Sequence, residues 1–337
     1  MVRERDRGAK RPAGETLSAR TAADTNQPSV SELLDKYAET QDKVKSYICK
    51  CEISTEMDAL LSKPPYSALS GKNKKEAMWE FRYDGSRYSE RFFRWGNMQS
   101  AKRFIPKNEA DYNSILWDGT TCFSYYPGKL WIHKHRDDFG RERWIRHQKA
   151  IRYGPGIGAL KGFWGGRIDV ALRNLHSASV RDKTDNIKGA ECYVIDAVTG
   201  ENKYTIWIDP SHGYNIVKLE WPDKKNGLFC SLENVSFEKI NNIWIPMKAD
   251  NKKIQKFPNG DFSKEMNHIK VTEMILDPNQ DALRSFSPDD VRNGAIVSLG
   301  WDRESQVMRG RKGKYEWQDG QVVDTEGHKV SLEPNKP

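Results

Sequence analysis

The hydrophobic pattern near the start of the chain has the period of a helix. Ser29 and Glu32 have the S-x-x-E spacing of a capping box, in which the two residues satisfy each other's unpaired donors. The apolar residues that follow recur every three or four positions, which predicts one amphipathic helix of about four or five turns. They are Val30, Leu33, Leu34, Tyr37, Ala38 and Val44.

After this helix the pattern changes to alternation of apolar and polar residues, the period of a half-buried strand. It starts at Tyr47 and recurs before the two-residue turn signal Asp84-Gly85. Short alternating runs separated by turn signals continue to His133, and six more lie between Cys192 and Ile275. Because no helix separates these six strands, we expect them to pair antiparallel.

These patterns predict one mainly β (α+β) domain with a tail at each end. Residues 1–28 lack periodicity and predict a disordered basic tail, residues 29–299 form the domain, and residues 300–337 form a polar extension with a hairpin at Asp319-Gly320. Within the domain, a glycine-rich stretch at 154–166 separates the two sets of strands and leads into a short central helix.

This order of elements resembles the LolA/LolB-like lipoprotein carrier superfamily, and four phrases resemble bacterial outer membrane lipoprotein-sorting proteins. The phrases are Ser31 to Tyr47, Tyr204 to Tyr214, Phe237 to Pro246 and Phe286 to Gly294. The resemblance implies a curved antiparallel sheet, or half-open β-barrel, wrapped around the N-terminal helix. It also implies an apolar groove that holds lipid or the acyl chains of a lipoprotein, as in a carrier or sensor.

The alternating rows of large apolar residues are the candidate binding surface. On one sheet face they have two interpretations: core against the helix, or the open part of a half-barrel that one helix cannot cover. We predict that the uncovered part binds the apolar ligand. The candidate residues are Trp79, Phe81, Tyr83, Tyr204, Ile206, Ile208, Ile243, Ile245 and Met247.

The formal net charge of +8 suggests an anionic partner, such as a membrane surface. The densest basic cluster surrounds Trp144, and a solvated face is the favoured explanation for it. Nucleic-acid binding is a third hypothesis, which the lack of a recognised nucleic-acid motif disfavours. The cluster consists of Arg141, Arg143, Arg146, Lys149 and Arg152.

Motifs for covalent or metal chemistry are missing from the sequence. The five cysteines form no C-x-x-C pair, and the two-apart pair His133 and His135 lacks a convincing third ligand. The glycine run at 154–162 lacks the ending of a phosphate loop. We therefore expect no enzyme, no metal and no cofactor.

Localisation and partners are predicted from the resemblance. It indicates the periplasm or cell envelope, whereas Met1 to Pro28 lacks the apolar segment of a secretory signal, so that a cytoplasmic location is the alternative. We expect a monomer that binds lipid or a lipoprotein acyl chain. The competing hypothesis is a protein-protein interaction or sensor module of the same fold, with an envelope protein as its partner and no lipid ligand.

Overall fold

The N-terminal helix forms where the capping box predicts it. The computed structural model describes residues 27–62, 70–98, 103–133, 168–173, 177–199, 202–223, 227–299 and 315–330. Helix α1 (Val30–Gln41) begins after Ser29, whose backbone N–H donates to Oε2 of Glu32 at 2.7 Å. The Oγ of Ser29 in turn accepts from the backbone N–H of Glu32 at 3.2 Å. The predicted capping box is confirmed.

Helix α1 is shorter than its apolar stripe suggested. It has 12 residues, and the prediction of four or five turns is wrong. The chain tightens after Thr40, because the N–H groups of Lys43 and Val44 bond to carbonyls three residues back. Val44 therefore lies outside the helix and packs against a different part of the core.

Strands make up most of the remaining chain, together with a short helix α2 (Ile168–Arg173). In chain order they are β1 (Tyr47–Leu60), β2 (Gly71–Tyr83), β3 (Tyr88–Met98), β4 (Arg103–Ile105), β5 (Tyr112–Trp117), β6 (Cys122–Tyr126), β7 (Lys129–His133), β8 (Ser177–Val180), β9 (Asp185–Ile187), β10 (Ala190–Thr199), β11 (Asn202–Asp209), β12 (Asn215–Asp223), β13 (Leu228–Ile240), β14 (Ile243–Lys256), β15 (Phe262–Leu276), β16 (Ala295–Leu299), β17 (Tyr315–Gln318) and β18 (Gln321–Asp324).

Strand β1 is the centre of one 18-stranded sheet. It pairs with β15 on one side and β2 on the other. From β15 the sheet runs in reverse chain order to β10, whose far side carries β8 and β9. From β2 it runs through β3, β5, β6, β7, β16 and β17 to β18, with β4 beside one end of β3. The sheet is curved and unclosed, which confirms the predicted fold class.

The C-terminal part of the chain adds the one parallel pairing among the described strands. Strand β16 lies parallel to β7, and the β17–β18 hairpin continues the sheet from there, with its turn at Asp319 and Gly320. Trp317 and Val322 of this hairpin are buried with residues of β5, β6 and β7. An ion pair of 2.8 Å between Arg91 and Asp290 also joins this region to β3.

The side of the sheet on which α1 packs, here called the helix face, carries two hydrophobic clusters. Leu33, Leu34 and Tyr37 of α1 pack on strands β10 to β14. A second cluster lies on β14, β15, β1, β2, β3, β5 and the start of β6. The clusters share one face because a row of paired residues crosses four adjacent strands between them. That row is Ala249, Ile269, Ile53 and Ala77.

No helix within the described ranges combines the length and the apolar character needed to cross a bilayer.

Candidate functional site

The candidate site is built on the long pairing between β1 and β2. Cys51 is opposite Trp79 and Cys49 is opposite Phe81, so alternate residues of β2 point to the helix face. The cysteine side of each pair is small and buried, which leaves room for the large ring opposite. The structure therefore brings together Trp79, Phe81 and Tyr83, as the alternation predicted.

Strand β3 completes an aromatic patch, which we define as Trp79, Phe81, Tyr83 and Phe92. Phe92 is opposite Trp79, and their ring centroids are 5.0 Å apart. The Trp79 ring also meets Phe81 edge-on, with centroids 5.3 Å apart. Trp79, Tyr83 and Phe92 are only partly buried. Phe92 was missed in the sequence because alternation shows which strand face a residue occupies, but not which strand lies beside it.

The aromatic patch lies outside the part of the helix face that α1 covers. The side chains of α1 pack into the cluster on β10 to β14, whereas the patch belongs to the cluster centred on β1 and β2. In the described part of the chain, no helix packs on the patch cluster. Within the described ranges the patch is thus an apolar surface of the same sheet that no helix covers.

The other predicted binding residues have different surroundings. Tyr204, Ile206 and Ile208 are buried beneath α1. Ile245 and Met247 are buried in the cluster that contains the patch, and Ile243 is partly exposed at its edge. The surface that could contact a ligand is therefore narrower than the predicted rows and is concentrated on β2 and β3.

A polar end adjoins the aromatic patch, and we define it as Asn73, Lys75 and Arg94. Asn73 and Lys75 continue the helix-face alternation of β2, and Arg94 is two residues beyond Phe92 on β3. The Arg94 guanidinium lies 4.5 Å from the centroid of the Phe92 ring. Desolvation lowers the pKa of Arg94 from its ordinary value, although the side chain retains solvent contact. The sequence could have predicted that Arg94 lies beside Phe92, because residues two positions apart on a strand share one face.

The basic cluster of the sequence lies outside the described residues. Arg141, Arg143, Arg146, Lys149 and Arg152 all belong to the segment 134–167, as does His135. The proposals on an anionic surface and on nucleic acid that depend on this cluster stay predictions. Among the residues with a described position, no group of three His, Cys, Asp or Glu side chains could hold a metal ion.

A Ser-His-Asp group occurs at the turn after β11, and its geometry is that of a structural turn. The Nδ1 atom of His212 lies 2.5 Å from Oδ2 of Asp209 and 3.1 Å from Oγ of Ser211. A nucleophilic triad needs the serine on one ring nitrogen and the carboxylate on the other. Here both approach the same nitrogen, so this group cannot work as such a triad.

The same turn anchors the end of helix α1. Thr40 donates a hydrogen bond of 2.6 Å to the carbonyl of Gly213, and Gln41 donates one of 3.0 Å to Asn215. Gly213 has a φ of +69°, and an added Cβ would lie 3.2 Å from Oγ1 of Thr40. Burial opposes ionisation of Asp209, but hydrogen bonds from Ser211 and His212 outweigh it and lower the pKa of this carboxyl.

None of the five cysteines forms a disulfide, and all five are buried. Desolvation raises the pKa of Cys122 to about 12 and that of Cys192 to about 11. The pKa of Cys51 is also raised by burial. The thiols of Cys51, Cys122 and Cys192 are therefore protonated at neutral pH, which makes them poor nucleophiles and poor metal ligands.

Comparison with known proteins finds similar structures but no similar sequences. No family model and no curated protein sequence matches the chain. A LolA superfamily protein from Nitrosomonas europaea is 14% identical, with a TM-score of 0.38 over 79% of this chain and 100% of its own. A DUF1329 family protein from Desulfovibrio piger is 11% identical, also with a TM-score of 0.38, over 74% of this chain and 92% of its own.

A third similar structure is MucB in complex with MucA, at 9% identity and a TM-score of 0.22 over 75% of this chain and 96% of that one. The superfamily that the sequence phrases resemble is also the one named for the Nitrosomonas protein.

Proposed function

We propose that the protein binds the acyl chain of a lipid or lipoprotein on the aromatic patch and serves as a carrier or sensor in the bacterial cell envelope. The observation that carries the proposal is the position of Trp79, Tyr83 and Phe92 on the helix face, partly exposed and away from α1. Exposed aromatic surface of this kind is characteristic of ligand sites and interaction surfaces.

The chemistry of the patch suits a hydrocarbon chain. Rings from two adjacent strands form a continuous surface, and contact with it removes methylene groups from water. Burial of one methylene contributes about 0.8 kcal/mol, so ten methylenes contribute about 8 kcal/mol before ordering costs. That free energy corresponds to a dissociation constant of about 1 μM, which we take as the tightest expected value.

The proposal needs no covalent chemistry, and this agrees with the state of the cysteines and of the Asp209 turn described above. The envelope location and the carrier or sensor role are inferred from the resemblance of the sequence phrases. The alternative is a protein-binding role without lipid, and it stands if no acyl chain binds in the following experiment.

The test uses the heavy-atom quenching of tryptophan fluorescence by a brominated acyl chain. We expect 9,10-dibromostearate to quench the wild-type protein saturably at micromolar concentration, because the bromine atoms contact Trp79. The variant Trp79→Phe should lose most of the quenching amplitude. The matched control is Trp95→Phe, since Trp95 lies on the opposite face of β3 and donates to Glu76 at 3.0 Å.

Two results would reject the proposal. One is the absence of saturable quenching in the folded wild-type protein. The other is an equal loss of quenching in Trp79→Phe and Trp95→Phe, which would place the acyl chain elsewhere. Near-ultraviolet circular dichroism of both variants controls for loss of the fold.

A further inference from the structure

The helix face of β2 and β3 changes from aromatic to polar along the strands. On β2, Trp79 and Ala77 are followed in the reverse chain direction by Lys75 and Asn73. On β3, Phe92 is followed by Arg94, which is opposite Ala77. Lys75 is opposite Gly96, so Lys75 and Arg94 are diagonal neighbours on adjacent strands, roughly 7 Å apart. The aromatic patch therefore ends at two cations.

The polar groups of this end lack partners in the described protein. Lys75 and Arg94 have no carboxylate within salt-bridge distance among the residues that the structure describes. Asn73 is buried, and within the same ranges neither polar atom of its amide has a hydrogen-bond partner. A buried amide without a partner is costly, so an unsatisfied one calls for an explanation.

The opposite face of the same two strands differs in this respect. There Arg82 pairs with Glu80 at 2.7 Å and Arg91 pairs with Asp290 at 2.8 Å. On the helix face of β3, the carboxylate of Glu90 is already bonded to the hydroxyl of Tyr88. The salt bridges of Arg82 and Arg91 thus lie on one face, whereas Lys75 and Arg94 lie on the other face, beside the patch, and have none among the described residues.

The Phe92 ring links the polar end to the aromatic patch. It contacts the Arg94 guanidinium on one side and the Trp79 ring on the other, at 4.5 and 5.0 Å. The buried indole N–H of Trp79 has no acceptor in the described chain. A molecule on the patch would therefore meet several unoccupied donors at one end and rings along the rest.

We propose that the polar end binds the anionic headgroup of an amphiphile whose acyl chain lies on the aromatic patch. The shared chemistry is an oxyanion, a carboxylate in a fatty acid or a phosphate in a phospholipid. Arg94 and Lys75 supply charge-assisted hydrogen bonds, and the Asn73 amide supplies a neutral donor. This inference rests on the proposed function and adds a direction to it, because the headgroup lies toward Asn73 and the chain end toward Tyr83.

The experiment compares ligands that have the same acyl chain and either an anionic or a neutral headgroup. Dibromostearate is compared with its methyl ester, and lysophosphatidylglycerol with monoacylglycerol of the same chain in competition with dibromostearate. We expect the wild-type protein to prefer at least one anionic member over its neutral analogue by about tenfold. A preference only in the first pair assigns a carboxylate, and a preference only in the second assigns a phosphate.

The variants Arg94→Gln and Lys75→Gln should each reduce this preference several-fold while the affinity for the neutral analogue stays within about twofold. Arg94→Lys should retain part of the preference, which separates charge from shape. The control is Lys74→Gln, which removes the same charge from the opposite face of β2, where Lys74 lies 3.8 Å from Glu76. It should behave like the wild-type protein.

The outcomes separate this inference from the proposed function. If the wild-type protein binds the charged and neutral members of both pairs equally, the headgroup site is rejected and acyl binding stands. If Lys74→Gln lowers the preference as much as Arg94→Gln, the effect is long-range electrostatics, and the site is rejected too. If neither member of either pair binds, both proposals are overturned.

Discussion

Removal of a single leucine from α1 tests whether this helix is a permanent part of the core. Leu33 is 0% exposed and packs in the cluster on β10 to β14. The change Leu33→Ala removes three carbon groups, which costs about 2.4 kcal/mol of transfer free energy at about 0.8 kcal/mol each. The cavity left behind adds about 1 kcal/mol or more. We expect the free energy of unfolding to fall by about 3 to 4 kcal/mol.

The assay is equilibrium urea unfolding followed by far-ultraviolet circular dichroism, with the midpoint and slope fitted for each variant. The matched control is Leu60→Ala, since Leu60 is 54% exposed and the same atoms are removed. The control should change the free energy of unfolding by less than about 0.5 kcal/mol. Equal effects of the two substitutions would refute the reasoning, because α1 would then be a loosely held lid and not a core element.

Three further predictions concern other parts of the fold. Ser29→Ala should lower the free energy of unfolding by about 1 kcal/mol in the same urea assay, because it removes the Oγ atom that accepts from the backbone N–H of Glu32 and donates to the Glu32 carboxylate. An unchanged midpoint would contradict this. Asp209→Asn should cost about 2 kcal/mol at pH 7, because this buried carboxylate accepts bonds from Ser211 and His212. The folded pKa of Asp209 is lowered, so the stability that this carboxylate contributes is fully present above the ordinary pKa of 3.8 and is lost as the pH falls through the folded pKa. The free energy of unfolding of Asp209→Asn should therefore depend less on pH in acid than that of the wild-type protein. Parallel pH profiles of the two proteins would disprove this role of Asp209. Ellman's reagent at pH 8 should label none of the five thiols in the native protein and all of them in urea, because all five are buried and inaccessible in the fold. Rapid native labelling of even one thiol would show that the packing around it is open.

The local patterns of the sequence predicted helix α1 and the longer strands of this fold, but not the short strands β4, β8, β9 and β16. The capping box at Ser29 set the start of α1, and alternation on β1 and β2 identified Trp79 and Phe81 as neighbours on one face. Such features depend on contacts between residues close in the chain and on the two-residue period of a strand, which holds whatever the partner strand is. The end of α1 was less predictable, because Val44 continued the apolar stripe by its spacing alone.

Only the tertiary structure decided which apolar row is core and which is surface. The rows at Tyr204 and Trp79 look alike in sequence, and the placement of α1 on β10 to β14 buries the first and leaves the second partly exposed. In the same way, the sequence does not show which of Arg91 and Arg94 has a carboxylate partner. Arg91 pairs with Asp290 from a segment about 200 positions away, whereas Arg94 lies over the ring of Phe92 and has no carboxylate partner among the described residues. Burial and charge pairing depend on such long-range contacts, which cannot be predicted from the order of residues along one strand.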